Sequence, residues 1–543
     1  MKKKTLKKLL ALLIACLMIV SVAACGNGSD NNGGEGQSSG PSGGPSSGSG
    51  GGSGSGKDTL VVGITQDRGT LDPTYARGAS AAVALSLIYE TLWDWAPDGS
   101  RIWKLATGLE MISPTVWHIT LREGVTFSNG NEFDAEDVVF SLWRHNAREG
   151  HPVEFRHMDW ENNKVLEKYK VEVVFNQYDL SYPYIFAQYA NAFMVDKETY
   201  DEESMPSNPI GTGPYKLDEY IVNSHINLVA RDDYWGDKPA IPNIHFRMFA
   251  EATQRVNALQ TGTVDVIDVP FQDVGFVETL SDYNVDIMTT ATTQSIFLNI
   301  APTSVFYDTG DGTATDMKKA VALAIDRQAI VDIAYSGYAT VSRYPASMAM
   351  SDTDPAFLEY GVYGTGYNPD LAREYAISSG LVDKEILLLN NGSDTNVAIC
   401  ELVQENLRTI GVTVNVRNLD QGSWLATIFD DTQYDAIIEM VNASSLITAN
   451  AIYTWTSMAN GGNKQEDPYL NSERFLEVWH SIMQVSDPNE LRLATTEFVQ
   501  LHADALLWYA LIDEQRAVAY STDLGGYELN RAQLIQFDKL YWR

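Results

Sequence analysis

Cysteine is almost missing from this chain: three among 543 residues, Cys16, Cys25 and Cys400, too few for a disulfide framework. Positive charge is scarce too. Thirty-eight Lys and Arg stand against 71 Asp and Glu, a net charge of −33 at neutral pH. A field of that sign excludes nucleic acid as a partner, because phosphate recognition needs a basic patch. After the first two dozen residues there is no apolar run long enough to cross a bilayer. Signatures of covalent chemistry are lacking as well. There is no H-E-x-x-H and no P-loop, and no G-x-S-x-G outside a Gly/Ser-rich segment. The acid pairs Glu136/Asp137 and Asp430/Asp431 read as solvated faces of an acidic chain rather than a hydrolase dyad. His145, His151 and His157 are spaced by six and interrupted by Pro152, which fits neither one helical face nor a zinc pattern. Met348 and Met350 read as packing residues. No metal or cofactor is expected.

What is present begins with a basic n-region, Lys2, Lys3, Lys4, Lys7 and Lys8, followed by a short apolar run from Leu9 to Val20. Together they read as a secretory signal. Val22-Ala23-Ala24-Cys25-Gly26 resembles the bacterial lipobox, which makes residues 1–24 a cleaved lipoprotein signal and Cys25 the lipidated anchor. Acyl chains hold a protein on a membrane when two or more are attached. Removing residues 1–24 takes five lysines and no acid, and leaves a net charge of −38. Residues 26–56 hold 14 Gly and 9 Ser, a composition that cannot bury enough apolar surface to order itself. As a flexible coil this tether reaches ~30 Å. Cys400 has no intrachain partner, and its helical setting among Val397, Ile399, Leu402 and Val403 predicts a small buried hydrophobe.

The remaining residues, 57–543, are enough for at least two packed lobes. Thr59–Ile64 reads as a buried strand, followed by a loop to Arg77 and helical spacing over Ser80–Leu92. Trp117, Ile119 and Leu121 alternate with polar residues as a half-buried strand, and Val171, Val173 and Phe175 do the same. Asp134 is placed to cap a helix beginning at Ala135, with Val138, Val139, Leu142 and Trp143 as its buried stripe. In the second half, Glu385–Leu389 predicts a strand, Asn396–Ile410 a helix closed by Gly411, and Val412, Val414 and Val416 another strand. Gln421–Phe429 then reads as a helix and Tyr434–Met440 as a third strand. That succession predicts a parallel α/β sheet with right-handed crossovers. Asn368 with Pro369 starts one further helix, and Asp487, Pro488 and Glu490 make a capping-box-like start to another.

Several ordered blocks carry a more specific resemblance. Leu105-Ala106-Thr107, Trp117 to Phe127 and Phe133 to Ser141 are followed by Pro209-Ile210-Gly211-Thr212-Gly213-Pro214-Tyr215-Lys216-Leu217. Asp233-Tyr234-Trp235-Gly236-Asp237-Lys238-Pro239, then Ala320 to Arg327, then Gln404 to Leu419 complete the series. In this order, over about residues 58–540, the blocks resemble family 5 extracellular solute-binding proteins, the oligopeptide, dipeptide and nickel receptors of ABC importers. The resemblance implies a two-lobed α/β fold of the periplasmic-binding-protein type, class II, with an extra subdomain in the first lobe. The implied bounds are 57–290 for lobe I, including a subdomain at about 97–208, then 291–510 for lobe II, and 511–543 for a return to lobe I.

In open α/β sheets a ligand sits beyond the carboxyl ends of the strands. That rule selects loops beginning at Asn390, Asn418 and Asn442, facing the loop Thr65–Arg77 across the cleft. The candidate ligand-binding residues are Tyr75, Arg77, Gln294, Asn390, Trp424, Asn442, Ser444 and Ser445. Peptide-binding members, as the resemblance implies, carry a Trp and an Asp where an ungapped reading here puts Val441 and Ser444, and that Asp pairs with the peptide amino terminus. A neutral polar solute such as an oligosaccharide would suit Asn442, Ser444, Ser445 and Trp424. The expected function is a lipid-anchored receptor that captures a peptide or a related polar solute and delivers it to ABC permease subunits, without covalent chemistry. An oligosaccharide receptor, a surface adhesin or sensor, and a secreted glycoside hydrolase are the alternatives.

Overall fold

The computed structural model describes residues 57–543 apart from 66–68, 76–78, 97–99, 148–157, 177–181, 183–185, 188–191, 344, 346, 348–359, 421–422, 425–426, 428–432, 443–451, 453–471, 486–487 and 531–533. Eleven strands among the described residues form one sheet: β1 (Thr59–Ile64), β2 (Tyr215–Ile221), β3 (His225–Ala230), β4 (Asn243–Met248), β5 (Val266–Val269), β6 (Tyr283–Leu298), β7 (Ala339–Val341), β8 (Glu385–Asn390), β9 (Thr413–Asn418), β10 (Ala436–Asn442) and β11 (Trp508–Ser521). Their order is β9-β8-β10-β6-β11-β5-β1-β4-β3-β2, with β7 pairing β11.

Two parallel blocks occupy opposite halves of this sheet. In one, β8 is parallel to β9 and β10; in the other, β1 is parallel to β4 and β5. Between them run two long antiparallel strands, β6 and β11, which contribute to the cores of both halves. Met288 and Val518 pack with Leu60, Val62 and Phe246, whereas Ile296 and Ile512 pack with Ile386, Leu388 and Val403. Burial on both faces explains why these strands show no clean alternation in sequence. The register of β6 against β11 shifts between Thr289 and Thr293, at the level where the two cores part.

The first lobe carries a second sheet. Strands Ala106–Ser113, Val116–Leu121, Lys170–Val174 and Lys164–Glu167 lie in that order, covered by the helix Ala135–Ala147. Ile119, Leu121, Val171 and Val173 are buried as their alternation requires, with Phe127, Phe133 and Val138 above them. The predicted cap is present: Asp134 Oδ1 accepts from Glu136 N at 2.8 Å, and Asp137 Oδ2 accepts from Asp134 N at 2.9 Å. This reciprocal pair satisfies two free amides at the helix start.

Some boundaries differ from the sequence reading. The helix expected over Ser80–Leu92 spans Ala79–Ile88 instead. Its end is set by the Gly211-Thr212-Gly213 turn, where Gly213 N donates to Ile88 O at 2.8 Å. A Cβ on Gly211 would stand 2.0 Å from the same oxygen, so only glycine admits this approach. The helix expected from Asn396 starts at Asp394, capped by Ser393, whose Oγ accepts from Asn396 N at 3.3 Å. The third strand is Ala436–Asn442 rather than Tyr434–Met440, because Asp435 turns back to accept from Val305 N and Leu387 N at 2.9 Å. Asn368 caps Pro369–Ser378 as expected. Most of Gln421–Phe429, and Asp487, lie outside the described residues.

Candidate functional site

β8, β9 and β10 run side by side in one direction and end at Asn390, Asn418 and Asn442. The Asn390 side chain is fully buried and joins two of these ends. Its Nδ2 donates to Asn418 Oδ1 at 2.7 Å and to Cys400 Sγ at 3.3 Å, while its Oδ1 accepts from Gly392 N at 2.8 Å. Gly392 has φ +73°, and a Cβ there would lie 2.9 Å from Leu419 O, so this turn requires glycine. Asn390 is therefore a structural pin for the loop mouth.

Gln294, 4% exposed, extends from β6 toward the same mouth. Its Nε2 donates to Asn396 Oδ1, and Asn396 Nδ2 donates to Asn391 Oδ1 at 3.0 Å. Gln294 Oε1 has no hydrogen-bond partner among the described residues. A buried carbonyl left without a donor costs about 1 to 3 kcal/mol, so this end of the amide chain is an open acceptor. Next to it, Thr293 Oγ1 donates to the buried carboxylate of Asp513 on β11 at 2.8 Å. Asn391, Asn396 and Asp513 were missed by the sequence reading. The Asn390-Asn391-Gly392-Ser393 run was the available signal, since a turn closing on a helix cap brings its amides together.

Trp424 lies in the hydrophobic cluster with Leu389, Ile437 and Val441, 2% exposed. Its Nε1 donates to Glu439 Oε2 at 3.0 Å, and burial raises the Glu439 carboxyl above its usual range. In this structure it is a core residue and offers no free ring face. Tyr75 is 48% exposed on a turn in which Thr74 N donates to Asp72 Oδ1 at 2.8 Å. Arg144, from the helix Ala135–Ala147, pairs with Asp72 and lies over the Tyr200 ring, which ties that turn to the second sheet. Asn442 ends β10. Arg77, Ser444 and Ser445 lie outside the described residues, as do Asp430, Asp431, His151, His157, Met348 and Met350. His145 is buried, with Nε2 3.3 Å from Phe193 O.

On the other half of the sheet, Arg516 Nε donates to Asp268 Oδ1 at 2.6 Å, beside the end of β5. Among the described residues no group of three or more His, Cys, Asp or Glu is arranged to hold a metal ion, and no helix is long and apolar enough to cross a membrane.

Cys400 is buried, and desolvation pushes its thiol up to about 12, with the Asn390 amide acting the other way. Alkylation of native protein at pH ~8 is expected to run on the order of a thousandfold slower than for a free thiol. Complete labelling should follow denaturation. Rapid native labelling of Cys400, read by peptide mass, would contradict the buried assignment.

Two α/β halves sharing a pair of crossing strands, with polar loops at the carboxyl ends of parallel strands, define a two-lobed binding protein of the periplasmic type. The comparisons carry this to a family. The profile described as "Bacterial extracellular solute-binding proteins, family 5 Middle" matches residues 104–463, and the chain belongs to that family. The glutathione-binding protein GsiB of Salmonella paratyphi A is 23% identical over 483 residues, covering 86% of this chain and 91% of its own. The ABC transporter substrate-binding protein CtaP of Listeria monocytogenes superposes with TM-score 0.75 at 19% identity, over 89% of this chain and 99% of its own. The oligopeptide-binding protein AppA of Bacillus subtilis, solved with a nonapeptide, gives 0.73 at 18%, over 89% and 99%. Family 5 members are transport binding proteins rather than enzymes, and the hydrolase alternative falls with that membership. The chain is an extracytoplasmic binding protein of the kind that serves ABC importers.

Proposed function

We propose that this chain captures a short peptide or a related polar solute between its lobes and delivers it to an ABC permease, held at the membrane through a lipid on Cys25. One observation carries the ligand reading: the amide chain Asn391, Asn396 and Gln294 ends in a buried carbonyl with no donor among the described residues, on a strand common to both halves. A peptide N–H or a hydroxyl would complete it. GsiB and AppA support the peptide class by what they bind. Closure would couple binding to delivery, since a ligand shifts the open–closed equilibrium only through contacts that improve on closing.

A second reading, a neutral oligosaccharide, is favoured by the side chains themselves. Asn390, Asn391, Asn396, Asn418 and Gln294 are all uncharged, and an ungapped reading puts Ser444 where, as the family resemblance implies, peptide-binding members carry the Asp that meets an amino terminus. A charge-assisted hydrogen bond contributes about 1.5 to 3 kcal/mol, so its loss lowers affinity for a free amino terminus roughly 10- to 100-fold.

The test is a thermal-shift screen of the full-length chain against peptides with free and acetylated amino termini, glutathione, oligosaccharides and nickel–histidine complexes. A ligand of the folded state raises the melting temperature. Peptides, free or acetylated, are expected to stabilise about equally. Stabilisation by glycans alone would replace the peptide reading with the second one, and by nickel complexes alone would overturn both. For the anchor, Cys25→Ser is expected to move the protein from the membrane to the soluble fraction. A mature N-terminal peptide whose Cys25 carries no acyl mass, read by mass spectrometry of the parent protein from membranes, would refute lipidation at Cys25.

A further inference from the structure

The block Ala320 to Arg327 plays no part in the cleft, yet it ends in an unusual arginine. Arg327 opens the helix Arg327–Ala334 and is 5% exposed. Its guanidinium lies 4.7 Å from the ring centre of Tyr509 and 5.8 Å from that of Tyr363. Nη1 donates to the carbonyl of Ser342, and to that of Ala510 at 3.3 Å. It forms no ion pair among the described residues, and neither Nε nor Nη2 has an acceptor there. Charged side chains this deeply buried are otherwise paired.

A cavity of about 400 Å³ opens against it, lined by Asp326, Arg327, Arg343, Tyr363, Gly366 and Tyr367 among others. Asp326 Oδ1 accepts from Ala329 N at 3.1 Å as the helix cap. Arg343 is exposed and makes neither a hydrogen bond nor an ion pair among the described residues. Two guanidiniums that form no ion pair among the described residues therefore line one pocket, beside the Asp326 carboxylate that caps the helix and two phenol rings, in a chain whose net charge is −33. Guanidinium forks match the planar geometry of carboxylates and the oxygens of phosphates, and aromatic walls suit an apolar body.

We propose that this pocket binds a small organic oxyanion, a carboxylate or a phosphate ester, at a site separate from the cleft. Sheet order supports the separation. Val341 ends and Arg343 follows β7, which pairs β11 on one edge, whereas Gln294 lies on β6 along the other edge of β11 and Asn390 and Asn418 lie further out, beyond β10.

Calorimetric titration of the full-length chain with benzoate, phenyl phosphate, inorganic phosphate and neutral benzamide, at constant ionic strength, tests this. At least one organic anion is expected to bind with Kd on the order of 1 mM or tighter, and benzamide not to bind. The tighter of benzoate and phenyl phosphate identifies the group recognised. Arg343→Gln should weaken that binding about tenfold or more, and its melting temperature should match the parent because the side chain is exposed. No heat from any anion, equal binding of benzamide, or binding unchanged in Arg343→Gln would each overturn the proposal.

Discussion

Arg231→Met is expected to destabilise the folded chain by about 3 to 5 kcal/mol, the cost typical of breaking a buried, charged hydrogen-bond network. Arg231 is 1% exposed. Its Nη1 donates to the carbonyls of Gly211 and Gly213, both at 3.3 Å, and its Nη2 to those of Thr126 and Phe127 at 3.0 and 3.1 Å. Asp233 accepts from Nε at 3.1 Å and from Nη2 at 3.2 Å, which leaves the guanidinium paired. One side chain thus holds the glycine turn that ends the first helix against the segment between the strand Val116–Leu121 and the helix Ala135–Ala147. Methionine fills the volume but donates to none of these carbonyls; those of Gly211 and Phe127 keep the backbone donors Ser128 N and Gly130 N at 2.9 Å, whereas those of Gly213 and Thr126 lose the donor the arginine supplied. Arg231→Lys should recover little, because a single ammonium cannot reproduce the planar fork. Denaturant midpoints of the three proteins check this. A loss below about 1 kcal/mol for Arg231→Met would mean that water replaces the network without cost.

His502 gives the second large effect, and it appears only with pH. The ring is buried 4.2 Å from that of Trp508, and neither ring nitrogen has a hydrogen-bond partner among the described residues. Desolvation, helped by the charge of Lys318, pushes its pKa down to about 3. The unfolded chain takes up this proton near pH ~6.5 while the native state does not, so stability from this group is intact above that pH and lost as pH falls toward the folded value. The slope is about 1.4 kcal/mol per pH unit. His502→Leu removes it. The stability difference, variant minus parent, should grow by about 4 kcal/mol between pH ~6.5 and ~3.5. Asp137, pushed up to about 6 mainly by burial, and the raised carboxyls of Glu90, Glu439 and Glu514 act in the opposite sense. They are common to both proteins and cancel in the comparison. A difference flat across that range would show that water reaches the imidazole.

The parallel block was legible because its strands and helix differ in period: Glu385–Leu389 and Val412–Val416 lie within or one residue from observed strands, and their ends fell on Asn390 and Asn418. The crossing strands were not. Thr289, Thr290, Thr292, Thr293 and Gln294 sit in a long strand covered on both sides, where polar residues find partners on β11 or a neighbouring helix and leave no alternation to read. Trp424 shows the limit at the site. Its place on a helix was readable from the sequence; which way the ring faced depended on Glu439, fifteen residues on, accepting its N–H.

The sheet order also bears on how the chain is made. β11 lies between β5 and β6 yet is among the last segments to be synthesised. Until residues 508–521 emerge, both neighbours face an empty lane with unpaired backbone edges. A ribosome-bound or C-terminally truncated chain therefore lacks the strand that joins its two halves, and such open edges invite pairing with other chains.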